Sequence, residues 1–120
     1  MFEQPWKYLT DTNAVKNISN DNALIHQGKG FQHSNIHSVT AGANIDHLII
    51  TPSDVDVHMR AWQVRVSSGP VTVNAYEDAV ISNNGTAEPS GNLNRQSVIA
   101  NKCLIYHTPT ITSVGNLLGS

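Results

Sequence analysis

Histidine is the residue type through which this chain could most readily do chemistry, and it has six. His33 and His37 invite a metal reading. In an extended strand, however, residues four apart lie ~13 Å apart. A zinc ion needs its nitrogen ligands at about 2 Å. The segment Phe31 to Val39 reads as extended, so the pair is not expected to share an ion. Cupins, the metal-binding jelly rolls, carry a His-X-His pair followed by a Glu and a later His. No His-X-His occurs in this chain. Histidines of an interface or a wet core edge are therefore expected, with no metal and no cofactor. An interface that titrates near neutral pH fits the same residues.

Asp46-His47 and His58 could supply two members of a hydrolytic triad. No Gly-X-Ser-X-Gly elbow supplies a nucleophile. Glu77-Asp78 are adjacent carboxylates at a strand end, where neighbours point to opposite sides rather than acting as an acid–base pair. Trp62 and Tyr76 could stack on a sugar, but each alternates with valines, so both are expected in the core of a hairpin. Cys103 lies in the apolar run Cys103-Leu104-Ile105-Tyr106, as a small buried hydrophobe would. Asn17-Ile18-Ser19 and Asn84-Gly85-Thr86 match the glycosylation pattern by chance in so Asn-rich a chain. The residues nominate no catalytic site, and the expectation is a protein that is not an enzyme.

The elements that would position these residues are strands. Val55 to Tyr76 holds two alternating, β-branched runs around Ser67-Ser68-Gly69-Pro70, which is a β-hairpin pattern. Its apolar parity switches between Arg60 and Trp62, as a β-bulge or a crossing between sheets would make it do. Ala23 to His26 is a short apolar run closed by Gly28-Lys29-Gly30. Further strands are expected at Ile45 to Thr51 and Val98 to His107. Asn83-Asn84-Gly85 marks a turn and Glu88 to Gln96 a surface loop. Short strands with turns every ~8–12 residues indicate an all-β, antiparallel β-sandwich of jelly-roll type. The division expected is an N-terminal arm over 1–22 and a β-sandwich domain over 23–120.

Composition narrows the class. A chain of 120 residues makes one domain with one modest core. Charged residues are 13% of it, against roughly 25% in ordinary soluble domains. The net charge is -2, and Lys7, Lys16, Lys29, Arg60, Arg65, Arg95 and Lys102 are scattered singly, so no nucleic-acid partner is expected. No apolar stretch is long enough to span a bilayer, so no membrane partner is expected either. Met1-Phe2-Glu3-Gln4-Pro5 lacks the basic start of a signal peptide, and synthesis in a cytoplasm is expected. A single cysteine excludes an internal disulfide. The arm carries Phe2, Trp6, Tyr8 and Leu9, whose apolar surface either covers the chain's own core or docks on a neighbouring subunit; these four are the candidate partner-binding residues.

The chain resembles small virion proteins of tailed bacteriophages. The stretches that carry the likeness are Leu9-Thr10-Asp11-Thr12-Asn13-Ala14-Val15-Lys16, Gly30-Phe31-Gln32-His33-Ser34 and Arg65-Val66-Ser67-Ser68-Gly69-Pro70-Val71-Thr72-Val73. Tyr76-Glu77-Asp78 and Tyr106-His107-Thr108-Pro109-Thr110 add to it. The resemblance implies a capsid decoration (cement) protein or a related head or tail accessory. Such a protein binds the major capsid protein on the shell exterior and stabilises the shell, as a homo-oligomer, a trimer before a dimer. Localisation in the virion follows, after synthesis in the host cytoplasm. A glycan- or receptor-binding β-module on a phage tail or fibre is the alternative. Chains of this style continue past Val114-Gly115 into a Gly-rich loop and a further strand pair. This chain is accordingly expected to be either a shorter member or one lacking C-terminal strands.

Overall fold

The computed structural model describes residues 19–120. The aromatic arm residues Phe2, Trp6, Tyr8 and Leu9 lie outside the described residues.

One short helix, α1 (Asn20–His26), opens the described chain and crosses the expected boundary between residues 22 and 23. Ser19 caps it, its hydroxyl accepting from Asn22 N at 3.3 Å, and Asp21 sits favourably in the first turn. At the other end Gly28 N donates to Ile25 O and Lys29 N to Leu24 O, which closes the helix in a Schellman motif. Seven residues are too few to be helical alone. Asparagines of the 92–94 segment hold α1 in place: Asn92 Nδ2 donates to Gly28 O at 2.9 Å and Asn94 Nδ2 to His26 O at 3.1 Å.

Nine short strands follow: β1 (Phe31–Gln32), β2 (His47–Ile50), β3 (Ala75–Glu77), β4 (Val80–Asn83), β5 (Thr86–Glu88), β6 (Gly91–Asn92), β7 (Leu104–His107), β8 (Thr110–Ser113) and β9 (Asn116–Gly119). All pairings are antiparallel, and the sheets are small and open: β1–β6, β2–β7–β5, β3–β9 and β4–β8. The expected all-β, antiparallel character is present in this coarse form. The nested order of three of the sheets has a simple origin. Residues 75–88 and 104–119 run antiparallel as one long two-stranded ribbon, which is interrupted twice.

The interruptions are matched kinks. Asp78 and Thr108 have positive φ, 59° and 54°, without being glycines. Gly115 (φ 77°) faces Asp78, and Gly85 (φ 87°) faces Thr108. A Cβ on Gly115 would lie 2.7 Å from the Asp78 carbonyl carbon and closer still to Glu77 O. One on Gly85 would lie 2.6 Å from Thr108 O and closer still to His107 O. Each kink thus pairs a left-handed residue on one strand with a glycine on the other, where the backbones meet too closely for a side chain. Gly85 N also donates to Asn83 Oδ1 at 2.8 Å, so the Asn-Asn-Gly turn read from the sequence forms the second kink.

The strongest strand signal in the sequence forms no hairpin. Residues 51–74 contain no strand, and only Ala75 and Tyr76 at its end enter a ladder, with β9. Trp62 and Tyr76, expected in its core, are 62% and 43% exposed. Among the described residues no hydrophobic side chain is buried, and nineteen large apolar residues are exposed. The Cα radius of gyration is 20.3 Å, and the extents are 70 × 35 × 28 Å. A compact chain of about 100 residues has a radius near ~13 Å. The pattern is correct for β-structure, but among the described residues no surface covers it.

Candidate functional site: a buried carboxylate among four histidines

Glu88 is the only buried charged residue among the described ones, at 7% exposure. The sequence reading placed it at the start of a surface loop. Instead it ends β5, and Pro89 and Ser90 follow before β6 resumes pairing.

Strand register explains half of its surroundings. His47 of β2 stands directly across from His107 of β7, and Thr86 of β5 stands on the other side of His107. Directly opposed residues share a face, and Glu88 is two residues from Thr86, so it lies on that same face. One face of the three-stranded sheet therefore gathers His47, His107 and Glu88. The other half comes from β1. Its pairing with β6, Phe31 to Asn92 and Gln32 to Gly91, delivers residues 33–37 beside Pro89. There the chain leaves strand geometry, and Ile36 N donates back to Asn35 Oδ1 at 2.8 Å. The unpaired segment runs past the carboxylate, and both the His33 and His37 rings reach Glu88. The ~13 Å backbone separation inferred from strand spacing does not keep the two rings apart, because both side chains converge on the one carboxylate.

The contacts are close. His33 Nε2 lies against Glu88 Oε2, and His37 Nε2 is 2.9 Å from Oε1. His107 Nε2 is 3.9 Å from Oε1, and His47 Nδ1 is 4.0 Å from Oε2. Asn35 Nδ2 donates to Oε1 at 2.8 Å. The His37 ring centroid is 5.0 Å from that of His47 and 4.8 Å from that of His107. Two of the imidazoles are anchored from behind. His33 Nδ1 bonds Pro89 O at 2.7 Å, and His107 Nδ1 bonds Thr108 Oγ1 at 3.0 Å. A carbonyl only accepts, so His33 Nδ1 carries a proton, and Nε2 meets the carboxylate either as a lone pair of the neutral ring or as the second donor of the imidazolium.

Burial opposes ionisation of Glu88, but the Asn35 hydrogen bond and His33, His37 and His47 outweigh it and hold its carboxyl below the usual range. Desolvation moves His47 the other way to its ordinary partner role: burial outweighs the attraction of Glu88 and, with the neighbouring histidines, lowers its pKa.

The remaining residues singled out in the sequence lie elsewhere. His58 is exposed within 51–74, and Asp46 is exposed, its carbonyl accepting from Thr108 N at 2.9 Å, so no Asp-His-His constellation forms. Cys103 is half-buried, a free thiol pushed up by desolvation, in a shallow hollow of about 260 Å³ that Phe31, Ala87, Asn101 and Tyr106 also line. The signal missed in the sequence was Glu88 itself: a lone carboxylate beside a proline gives no local hint of burial. No helix among the described residues is long and apolar enough to cross a membrane. Comparison of the chain with protein-family models, curated proteins and solved structures finds no match.

Proposed function

We propose that the chain is a non-enzymatic structural subunit of a tailed-phage virion. In this reading it closes a jelly-roll-like β-sandwich against further copies of itself, a trimer before a dimer, and binds the major capsid protein on the shell exterior. The observation that carries the assembly part is the exposed, unpaired run 55–73. Val55, Val57, Met59, Trp62, Val64 and Val66 are between 44% and 63% exposed in a segment without a ladder partner among the described residues. Fully burying an exposed side chain of this kind is worth about 1.5–3 kcal/mol, and about half of that remains to be gained here, so covering six contributes on the order of 5 kcal/mol before ordering costs. An unpaired apolar strand sequence is a template for another chain. A second copy supplies the same sequence and therefore a matching edge.

The virion part rests on the resemblance of the quoted stretches, and on a surface poor in charge. A neutral Asn/Ser/Thr surface desolvates against a shell at less cost than a charged one. Modest affinity per site accumulates over many symmetric sites. Phe2, Trp6, Tyr8 and Leu9 are assigned as the anchoring side chains. Exposed Trp62 and Tyr76 favour the second reading, a glycan- or receptor-binding module on a tail or fibre.

Sedimentation at micromolar concentration and hydrogen exchange over 51–74 test the assembly. A discrete oligomer with protected amides in this run is expected. A monomer with these amides unprotected refutes it. Mixing with undecorated, expanded capsids tests the partner: saturable symmetric binding, a higher rupture temperature and weakening by Trp6→Ala are expected. Binding to tails or host glycans alone transfers the assignment to the second reading.

A further inference from the structure

We infer that His37, His47 and Glu88 form a binding site for one divalent first-row transition-metal ion, with His33 and His107 completing the nitrogen shell around it. The ligand atoms of His37, His47 and Glu88 all lie within 4.8 Å of one another. Atoms that share an ion at ~2.1 Å lie roughly 3–4.2 Å apart, so small side-chain adjustments bring the set to bonding distance.

The independent sign of a missing partner is polar dissatisfaction. Glu88 Oε2 and His37 Nε2 are both buried and neither makes a hydrogen bond. The side chain of Glu88 is 2% exposed. An unsatisfied buried carboxylate oxygen is costly, and native structures rarely leave one without an ion or water. His33 sharpens the point. With its Nδ1 proton on Pro89 O, its Nε2 faces the carboxylate Oε2, a contact that a positive charge must bridge, either a proton on Nε2 or a metal ion between the two atoms. The polar contacts behind the cluster are those that orient metal ligands: Pro89 O on His33, Thr108 Oγ1 on His107 and Asn35 Nδ2 on Glu88.

Donor chemistry selects the metal class. Imidazole nitrogens with one carboxylate suit zinc, iron, nickel or copper, and a shell dominated by nitrogen disfavours calcium and magnesium. The ion would tie two pieces, the 33–37 segment and the β2–β7–β5 sheet, where no apolar side chain is buried among the described residues. That role is structural. It depends on the cluster's own geometry and not on the virion reading, so either can fail alone.

The test uses the full chain, stripped with chelator and titrated with Co²⁺, whose d–d absorption reports nitrogen coordination. One Co²⁺ per chain, displaced by Zn²⁺, is expected. Zn²⁺ should raise the thermal midpoint, while Mg²⁺ and Ca²⁺ should not. Glu88→Gln preserves shape and is expected to weaken Co²⁺ binding at least tenfold with an unchanged far-UV spectrum. His47→Ala, at a partly exposed position, is the second variant should Glu88→Gln fail to fold. Wild-type protein that takes up no Co²⁺ saturably at one per chain overturns the inference. So does a folded variant that binds as tightly as wild type.

Discussion

The matched kinks of the ribbon make a quantitative prediction that separates two physical effects. Gly115 and Gly42 have nearly the same backbone, with φ of 77° and 79°. They differ in surroundings: a Cβ on Gly42 meets nothing within 4 Å, whereas one on Gly115 runs into the Glu77–Asp78 backbone. Replacing either by alanine places a Cβ in the left-handed region, which costs about 1–2 kcal/mol. At Gly42 that should be the whole effect. At Gly115 the opposing strand must also move. Glu77 pairs with Asn116 immediately beside the kink, so the shift loosens the β3–β9 ladder at its inner end. Each backbone hydrogen bond lost there is worth about 1 kcal/mol. Gly115→Ala should therefore cost ~3–4 kcal/mol against ~1–2 kcal/mol for Gly42→Ala. The assay is urea denaturation of both variants and wild type at one protein concentration, since assembly couples stability to concentration. Equal shifts of the midpoint for the two variants would refute the close-approach argument. A smaller effect at Gly115 would refute the kink assignment altogether.

Acid should destabilise the metal-free chain in two stages. The folded pKa of His47 lies below 6.5, so the unfolded chain takes up that proton first and stability falls as pH drops through 6.5. The folded pKa of Glu88 lies below 4.5, so its contribution is complete above that value and is lost as pH falls through the folded pKa. Thermal midpoints between pH 8 and pH 3 check both, and a midpoint that rises on acidification contradicts the assignment. Asn92→Ala should cost about 2–3 kcal/mol in urea, because its side chain makes three hydrogen bonds, to Gly28 O, Ile99 O and Asn94 N. Breaking the exposed Lys102–Asp54 pair by Lys102→Ala should leave the urea midpoint essentially unchanged, because solvent screens both charges. Alkylation of Cys103 near pH 7 should be slower than that of a free thiol, because desolvation raises its pKa and keeps it protonated.

Period-two alternation and turn residues were enough to read antiparallel β-structure. They also located β2 within Ile45–Thr51, β7 within Val98–His107 and the turn at Asn83-Asn84-Gly85, because these depend on neighbours in the chain. The same alternation over Val55–Tyr76 records that those residues suit a sheet, but not which edge completes it. Pairing is a non-local choice, and among the described residues it is made only by Ala75 and Tyr76, with β9. The short helix was missed because its cap and closure depend on Ser19 and Gly28, and its stability on Asn92 and Asn94, some seventy residues away. The candidate site was hidden for a similar reason. Each of its histidines looks isolated in the sequence, and the metal reading of His33 and His37 was set aside on a backbone spacing that takes no account of both rings reaching one carboxylate. Antiparallel register placed His47 and His107 opposite one another, and the β1–β6 pairing carried His33 and His37 across to a carboxylate more than fifty residues away. Residue types and local periodicity thus determined the class of structure. Only long-range strand pairing, whose partners sequence spacing does not specify, decided that four imidazoles surround one buried glutamate.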